Sequence, residues 1–107
     1  MLMPNRLYPH LSYEVLNSTT EIIDNHLSDG WVIRIEYTEE VEYLNTCWKQ
    51  WGKPFFNVTD SACVIDRIRS CHTDNQLSAI RLHAEKLHPR SVFCFCVCHR
   101  SHTTKDS

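Results

Sequence analysis

Trp31-Val32-Ile33-Arg34-Ile35-Glu36-Tyr37-Thr38 is the stretch on which the fold turns. Trp31, Ile33, Ile35 and Tyr37 share one parity and Val32, Arg34 and Glu36 the other, which is the period-two pattern of a half-buried strand. Just upstream the period is different. Val15, Leu16, Thr19, Ile22, Ile23, His26 and Leu27 recur at helical spacing and line one face of a helix. Ser12 is its candidate N-cap, while Ser18 with Glu21 offers a capping box for a shorter version. Gly30 closes the helix, being free to take the left-handed conformation that ends many helices.

Downstream, Thr38 to Cys47 is polar and acidic, with Glu39, Glu40 and Glu42, and reads as a loop. Thr46 to Phe56, TCWKQWGKPFF, is aromatic but broken at Gly52 and Pro54. It predicts a second strand with a bend, at an edge, because proline donates no ladder hydrogen bond. Thr59 or Asp60 caps a second helix with Ala62, Val64, Ile65, Ile68 and Cys71 on its apolar side and Asp66, Arg67 and Arg69 toward water. That helix gives out in Thr73-Asp74-Asn75-Gln76. A third strand sets Ile80, Leu82 and Ala84 on one face and Arg81 and His83 on the other. A loop around His88-Pro89-Arg90 leads to a fourth strand, Val92–His99. The order helix, strand, strand, helix, strand, strand predicts an α+β, two-layer fold: a four-stranded antiparallel sheet with two helices on one face. Residues 1–11, with Leu7, Tyr8 and Pro9, form an N-terminal arm, 12–100 the domain, and 101–107 a polar tail.

Composition bounds the function. The chain has 107 residues, 42% hydrophobic and 22% charged, which is one globular domain and leaves no room for two cores. A net charge of −2 gives no basic footprint for nucleic acid. No apolar run approaches the roughly 20 residues of a membrane helix. The start, MLMPNRLYPHLS, holds no apolar region of the length a secretory signal requires, so an intracellular location is expected. Cys94, Cys96 and Cys98 alternate in one strand, about 6–7 Å apart, too far to bridge one another. The six cysteines are therefore expected to be reduced and mostly buried.

The fourth strand is apolar on both parities, with Phe93, Phe95 and Val97 against Val92, Cys94, Cys96 and Cys98. One-sided antiparallel sheets alternate, so this strand predicts that something covers the second face. Trp48 and Trp51 point the same way, since aromatics are enriched in interface cores, although an internal core role for them is the other reading. The chain reads as a subunit.

At Asn45-Thr46-Cys47-Trp48-Lys49-Gln50-Trp51-Gly52-Lys53-Pro54-Phe55-Phe56 the sequence resembles the small subunit of ribulose-1,5-bisphosphate carboxylase/oxygenase (Rubisco). The family pattern of Trp, two residues, Trp, two residues, Pro, one residue, Phe is kept at Trp48, Trp51, Pro54 and Phe56. The resemblance starts at Gly30-Trp31, continues through Ile80-Arg81-Leu82 and a final apolar strand ending in His99-Arg100, and covers about residues 8 to 100. The short connection between the first two strands is similar to bacterial members. Cys47, Gln50 and Lys53 depart from the family's usual aromatic or apolar residues, and His99-Arg100-Ser101 replaces its closing His-Arg-Pro.

The resemblance implies a non-catalytic subunit of an enzyme, with no active site, cofactor or metal of its own. Eight such chains cap an octamer of large subunits, stabilise it and tune CO2 fixation in the Calvin cycle of photosynthesis. Magnesium and the carbamylated lysine belong to the large subunit. The implied partners are that subunit, other copies of this chain in the same assembly, and a carboxysome scaffold protein where the enzyme is packaged, with no nucleic acid and no membrane. The implied location is the cytoplasm or a carboxysome within it. The implied interface residues are Tyr8, Glu39, Glu40, Tyr43, Asn45, Trp48, Trp51 and Pro54. The rival within the same fold is a diverged adaptor that binds Rubisco for scaffolding or regulation.

Two chemical readings compete with these. Cys71-His72 and Cys94, Cys96, Cys98 and His99 offer zinc-type ligands, but a C-x-C-x-C run in a strand lacks the turns that bring four ligands to a tetrahedron. Cys63 or Cys71 with a histidine would make a nucleophile and base, yet both fall on or near a helix's apolar side, which predicts inert thiols.

Overall fold

A computed structural model describes residues 11–27, 29–39 and 47–99. The elements, in chain order, are α1 (Tyr13–His26), β1 (Trp31–Thr38), β2 (Lys49–Gln50), β3 (Phe55–Phe56), α2 (Ser61–Asp74), β4 (Ala79–Leu87) and β5 (Arg90–Cys98). Both helices begin where the sequence supplies an oxygen for the first free amides. The Val15 N–H donates to Ser12 Oγ at 3.0 Å, and the Ala62 N–H donates to Asp60 Oδ1 at 2.9 Å. At the other end of α2, Asn75 closes the helix twice over: its backbone N–H and its side-chain Nδ2 both donate to the Cys71 carbonyl, at 2.9 and 3.0 Å.

The strand order is β2-β1-β4-β5, all antiparallel, with β3 also paired to β1. The expected bent second strand is thus two dipeptide strands that share one edge position along β1. Gln50 pairs with Glu36 and Phe55 with Ile33, and Gly52 to Pro54 bulge away between them. Both helices lie on one face, α2 over β1 and β4 and α1 over β5. Between the layers, Leu16, Ile23, Leu27, Ile33, Ile35, Val64, Ile68, Ile80, Leu82 and Ala84 form the buried core. The alternation of β1 and β4 matches the sequence reading. Thr19, buried in α1, satisfies its hydroxyl by donating to the Val15 carbonyl at 2.7 Å.

Several expectations need correction. Gly30 has a φ of +82° but sits three residues beyond the cap at Leu27, where its N–H donates to Asn57 Oδ1 at 2.9 Å and so ties the α1–β1 turn to the end of β3. His26 and Ala62, in the last and first turns of their helices, are exposed rather than part of the buried apolar faces. β5 does not keep one parity throughout. Ile80 pairs with Cys98 and Arg81 with Cys96, so Val97 is an extra residue, and this bulge turns both Val97 and Cys98 into the core. Cys98 therefore leaves the face it was expected to share with Cys94 and Cys96. The cysteines are not mostly buried: Cys47, Cys63, Cys94 and Cys96 are exposed, and only Cys71 and Cys98 are enclosed.

Arg67 does not face water either. Its guanidinium lies 4.3 Å from the Phe55 ring centroid, and its Nη1 donates to the Lys53 carbonyl at 2.7 Å and the Trp51 carbonyl at 3.4 Å. The bend between β2 and β3 is thereby fastened to α2. Gly52 makes this approach possible, since its φ is +81° and a Cβ there would collide with the Arg67 guanidinium. Gly52→Ala is expected to lower stability by about 1–2 kcal/mol, the cost of a left-handed alanine, and more if Arg67 is displaced. Urea unfolding measures it, and an unchanged midpoint would remove Gly52 from the account of the bend.

Candidate functional site

The aromatic segment between β1 and α2 divides its two tryptophans between the two faces of the sheet. Trp51 belongs to the helix side. Its backbone N–H donates to the Ile35 carbonyl at 2.7 Å, its ring meets Tyr37 edge-on at 5.8 Å and 82°, and its indole Nε1 donates to Ser70 Oγ of α2 at 3.2 Å. It packs against the hydrophobic core as a half-buried member. Trp48 lies on the opposite face, half-buried, with the Arg81 guanidinium 4.2 Å from its ring centroid.

That opposite face is polar across β1 and β4, where the sequence alternation placed Arg34, Glu36, Arg81 and His83. The even positions of β1 and the odd positions of β4 place Arg34, Glu36, Arg81, His83 and Glu85 side by side. Arg81 Nε donates to Glu36 Oε1 at 2.7 Å and Arg34 Nη1 to Glu85 Oε1 at 3.1 Å. His83 stands between the two carboxylates, 3.9 Å from each. The Glu36 side chain is only 15% exposed and that of Arg81 26%, so this pair is screened less than a free surface pair. On β5 the face is apolar, with Val92, Cys94 and Cys96 exposed, and Val32 of β1 lies on the same side. The result is a platform: Trp48 stacked on Arg81, Arg81 held by Glu36, and a second ion pair beyond. Planar arginine between an aromatic ring and a carboxylate is a preorganised recognition group.

Of the implied interface residues, Trp48, Trp51 and Pro54 are half-buried and Glu39 is exposed at the end of β1. Tyr8, Glu40, Tyr43 and Asn45 lie outside the described residues, as do most of the arm, the acidic loop and the tail. Arg81, Glu36 and Arg67 were missed by the sequence reading as organisers of the aromatic segment. The parity of Glu36 and Arg81 on neighbouring strands was visible, but their pairing depends on strand register.

The cysteines sort by chemistry. Burial pushes the Cys71 thiol up to about 12 and the Cys98 thiol up to about 11, against an ordinary value of 9.0, so both are poor nucleophiles. Cys63 is exposed on α2, contrary to its expected apolar position, and its Sγ donates to the Asp60 carbonyl at 3.1 Å. Cys94 Sγ lies 3.4 Å from His83 Nδ1 and Cys96 Sγ 3.5 Å from His99 Nδ1. Among the described residues no three His, Cys, Asp or Glu side chains converge to hold a metal ion. At pH 8 a thiol reagent is expected to label Cys63 and Cys94 in the folded chain and Cys71 and Cys98 only after unfolding. Mass mapping reads this, and labelling of native Cys71 would contradict the packing. The raised thiols also fix a sign: the neutral form is the folded form, so their stabilising contribution is complete below about pH 9 and is lost as pH rises through about 11 and 12.

The family model of the ribulose bisphosphate carboxylase small chain matches residues 8–101. The chain belongs to this family. The small subunit of ribulose bisphosphate carboxylase from Sinorhizobium medicae is 33% identical over 76 residues, 71% of this chain and 57% of that relative. The small subunit from Olisthodiscus luteus is 36% identical over 60 residues, 56% of this chain and 43% of its own length. Among solved structures, Rubisco from Galdieria partita superposes with a TM-score of 0.73 at 29% identity, covering 81% of this chain and 65% of that one. The chain thus spans about half the length of the curated small subunits it matches. The α+β fold expected from the sequence is the small-chain fold, and the expected divergence of the chain as a whole accords with identities near one third.

Proposed function

We propose that this small chain is a non-catalytic subunit that binds Rubisco large subunits, caps and stabilises their octamer and tunes CO2 fixation carried out there. The family match across residues 8–101 carries this reading. The platform around Trp48 supports it. It offers a stacked aromatic, a fixed guanidinium and partly desolvated carboxylates on the sheet face that the helices leave open, the mixture that interface cores and their rims use. Trp51 and Pro54 hold the segment from behind, and Glu39, Glu40, Tyr43, Asn45 and Tyr8 extend the proposed contact. Magnesium and the carbamylated lysine are assigned to the large subunit. The compartment proposed is that of the large subunit, the cytoplasm or a carboxysome within it.

Co-expression with the large subunit from the same source, followed by native mass measurement, tests the reading. A complex with one copy of this chain per large subunit supports it. Substoichiometric binding to a complete enzyme supports an adaptor instead, and absence of binding contradicts both.

A further inference from the structure

β5 ends the sheet on the side away from β2 and β3, and among the described residues nothing pairs with its outer edge. It runs for nine residues, and from Ser91 to Cys98 it carries neither a charge nor a proline. Edge strands normally carry such residues to prevent pairing with another chain. The bulge at Val97 protects only the far end. Val92 is 55% and Phe93 36% exposed. On the helix face the Phe93 and Phe95 rings stack parallel, 6.5 Å apart at 9°, beside an open apolar groove of about 490 Å³ that Ile22, Leu27 and Trp31 also line.

We propose that in the free chain this edge pairs antiparallel with the β5 edge of a second copy, about a two-fold axis through Cys94. The occupant follows from the strand itself. Phe93-Cys94-Phe95 reads the same in both directions, so the two-fold sets Phe93 opposite the partner's Phe95 and Phe95 opposite the partner's Phe93. Directly opposed side chains have Cβ atoms about 4.5–5.5 Å apart, so the four rings form one cluster on the helix face. An axis through Phe93 would oppose the two Phe93 rings but set Phe95 against Ser91, and one through Phe95 would oppose the two Phe95 rings but set Phe93 against the buried Val97; only the axis through Cys94 gives every ring an aromatic partner. Arg90 falls opposite Cys98, so no like charges meet along the strand. The free backbone groups of β5 acquire partners, and the two sheets become one with all helices on the same side. The other edge, with Trp48 and Trp51, stays open for the large subunit.

On the second face the two Cys94 thiols oppose one another. Directly opposed Cα atoms lie about 4.5–5.5 Å apart, inside the span of a disulfide. This provides a trap. Diamide removes two electrons and two protons from the paired thiols, forming the S–S bond and becoming its hydrazine.

Sedimentation equilibrium of the full chain under reducing conditions is the first test. The mass is expected to rise with concentration from 12.6 kDa to twice that value, with a dissociation constant on the order of micromolar, as suits an edge contact. Phe93→Lys is expected to weaken the dimer at least tenfold while far-UV circular dichroism stays unchanged. Should that variant misfold, diamide trapping of the wild-type chain decides: a Cys94–Cys94 link is expected to dominate over links through exposed Cys47 or Cys63. A monomer up to about 100 µM, or equal trapping at the three cysteines, would overturn the proposal.

Discussion

Trp51→Ala is expected to lower the unfolding free energy by about 2–3 kcal/mol, whereas Trp48→Ala leaves it within about 1 kcal/mol and weakens large-subunit binding tenfold or more. The two residues are three apart in the sequence and chemically identical, so the contrast rests on position alone. Trp51 gives up an edge contact with Tyr37, a hydrogen bond to Ser70 and its packing on the core, and α2 loses one of its ties to the edge strands. Trp48 gives up a stack on Arg81, a contact worth about 0.5–1 kcal/mol at a half-exposed site. Its larger role is expected only in the bound state, where an aromatic at the centre of a contact outweighs a rim charge such as Glu40. Urea unfolding gives the first number and co-purification yields with the large subunit the second. Equal losses of stability would place both tryptophans in the core; equal losses of binding for Trp48→Ala and Glu40→Ala would remove Trp48 from the interface.

Leu82→Ala is expected to be costlier still for the fold, about 3–4 kcal/mol by the usual range for buried leucine. Leu82 is fully buried, at the middle of β4, paired with Ile35 on one side and Phe95 on the other. α2 lies over β4 and α1 over the neighbouring β5, so a cavity there cannot collapse by moving one side chain. Small domains have about 5–15 kcal/mol to lose, and the variant should populate unfolded chain under mild denaturant. Leu87→Ala, on the same strand but 65% exposed, is the control and should shift stability by less than about 0.5 kcal/mol. A small effect at Leu82 would mean that the two layers do not meet where the structure puts them.

Local patterning made most of this fold legible. The change from helical to alternating period at Gly30, the caps at Ser12 and Asp60, and the alternation through Ile33, Ile35, Ile80, Leu82 and Ala84 each depend on residues near in sequence, and each corresponds to an observed element. What the residues did not disclose depends on register and reach. The bulge that turns Cys98 inward exists only because β5 pairs with β4 one residue out of step beyond Cys96. The charged lattice of Arg34, Glu36, Arg81, His83 and Glu85 needs β1 and β4 as neighbours, although α2 lies between them in the chain. Arg67 looked like a solvated helix residue because sequence position says nothing of where a long side chain ends; it ends on Phe55 and two carbonyls of the bend.

Trp48, Trp51, Pro54 and Phe56 keep their spacing, and the structure shows a physical reason for part of it. Trp51 must reach Ser70 and Tyr37 while the next three residues pass under Arg67, which requires the left-handed Gly52. Gln50, expected from the resemblance to be a departure, contributes to that bend, because its Nε2 donates to the Gly52 carbonyl at 2.8 Å. A polar residue at this position therefore has a local use at the turn.

In the proposed role this chain completes an enzyme whose chemistry lies in the large subunit. The most direct measurement is carboxylase activity of large subunits purified without their small chain, titrated with this protein while the native mass is followed. Activity is expected to rise with added chain, saturate at one copy per large subunit, and track formation of the larger assembly. Activity that is already complete before addition, and unchanged at saturation, would contradict that role.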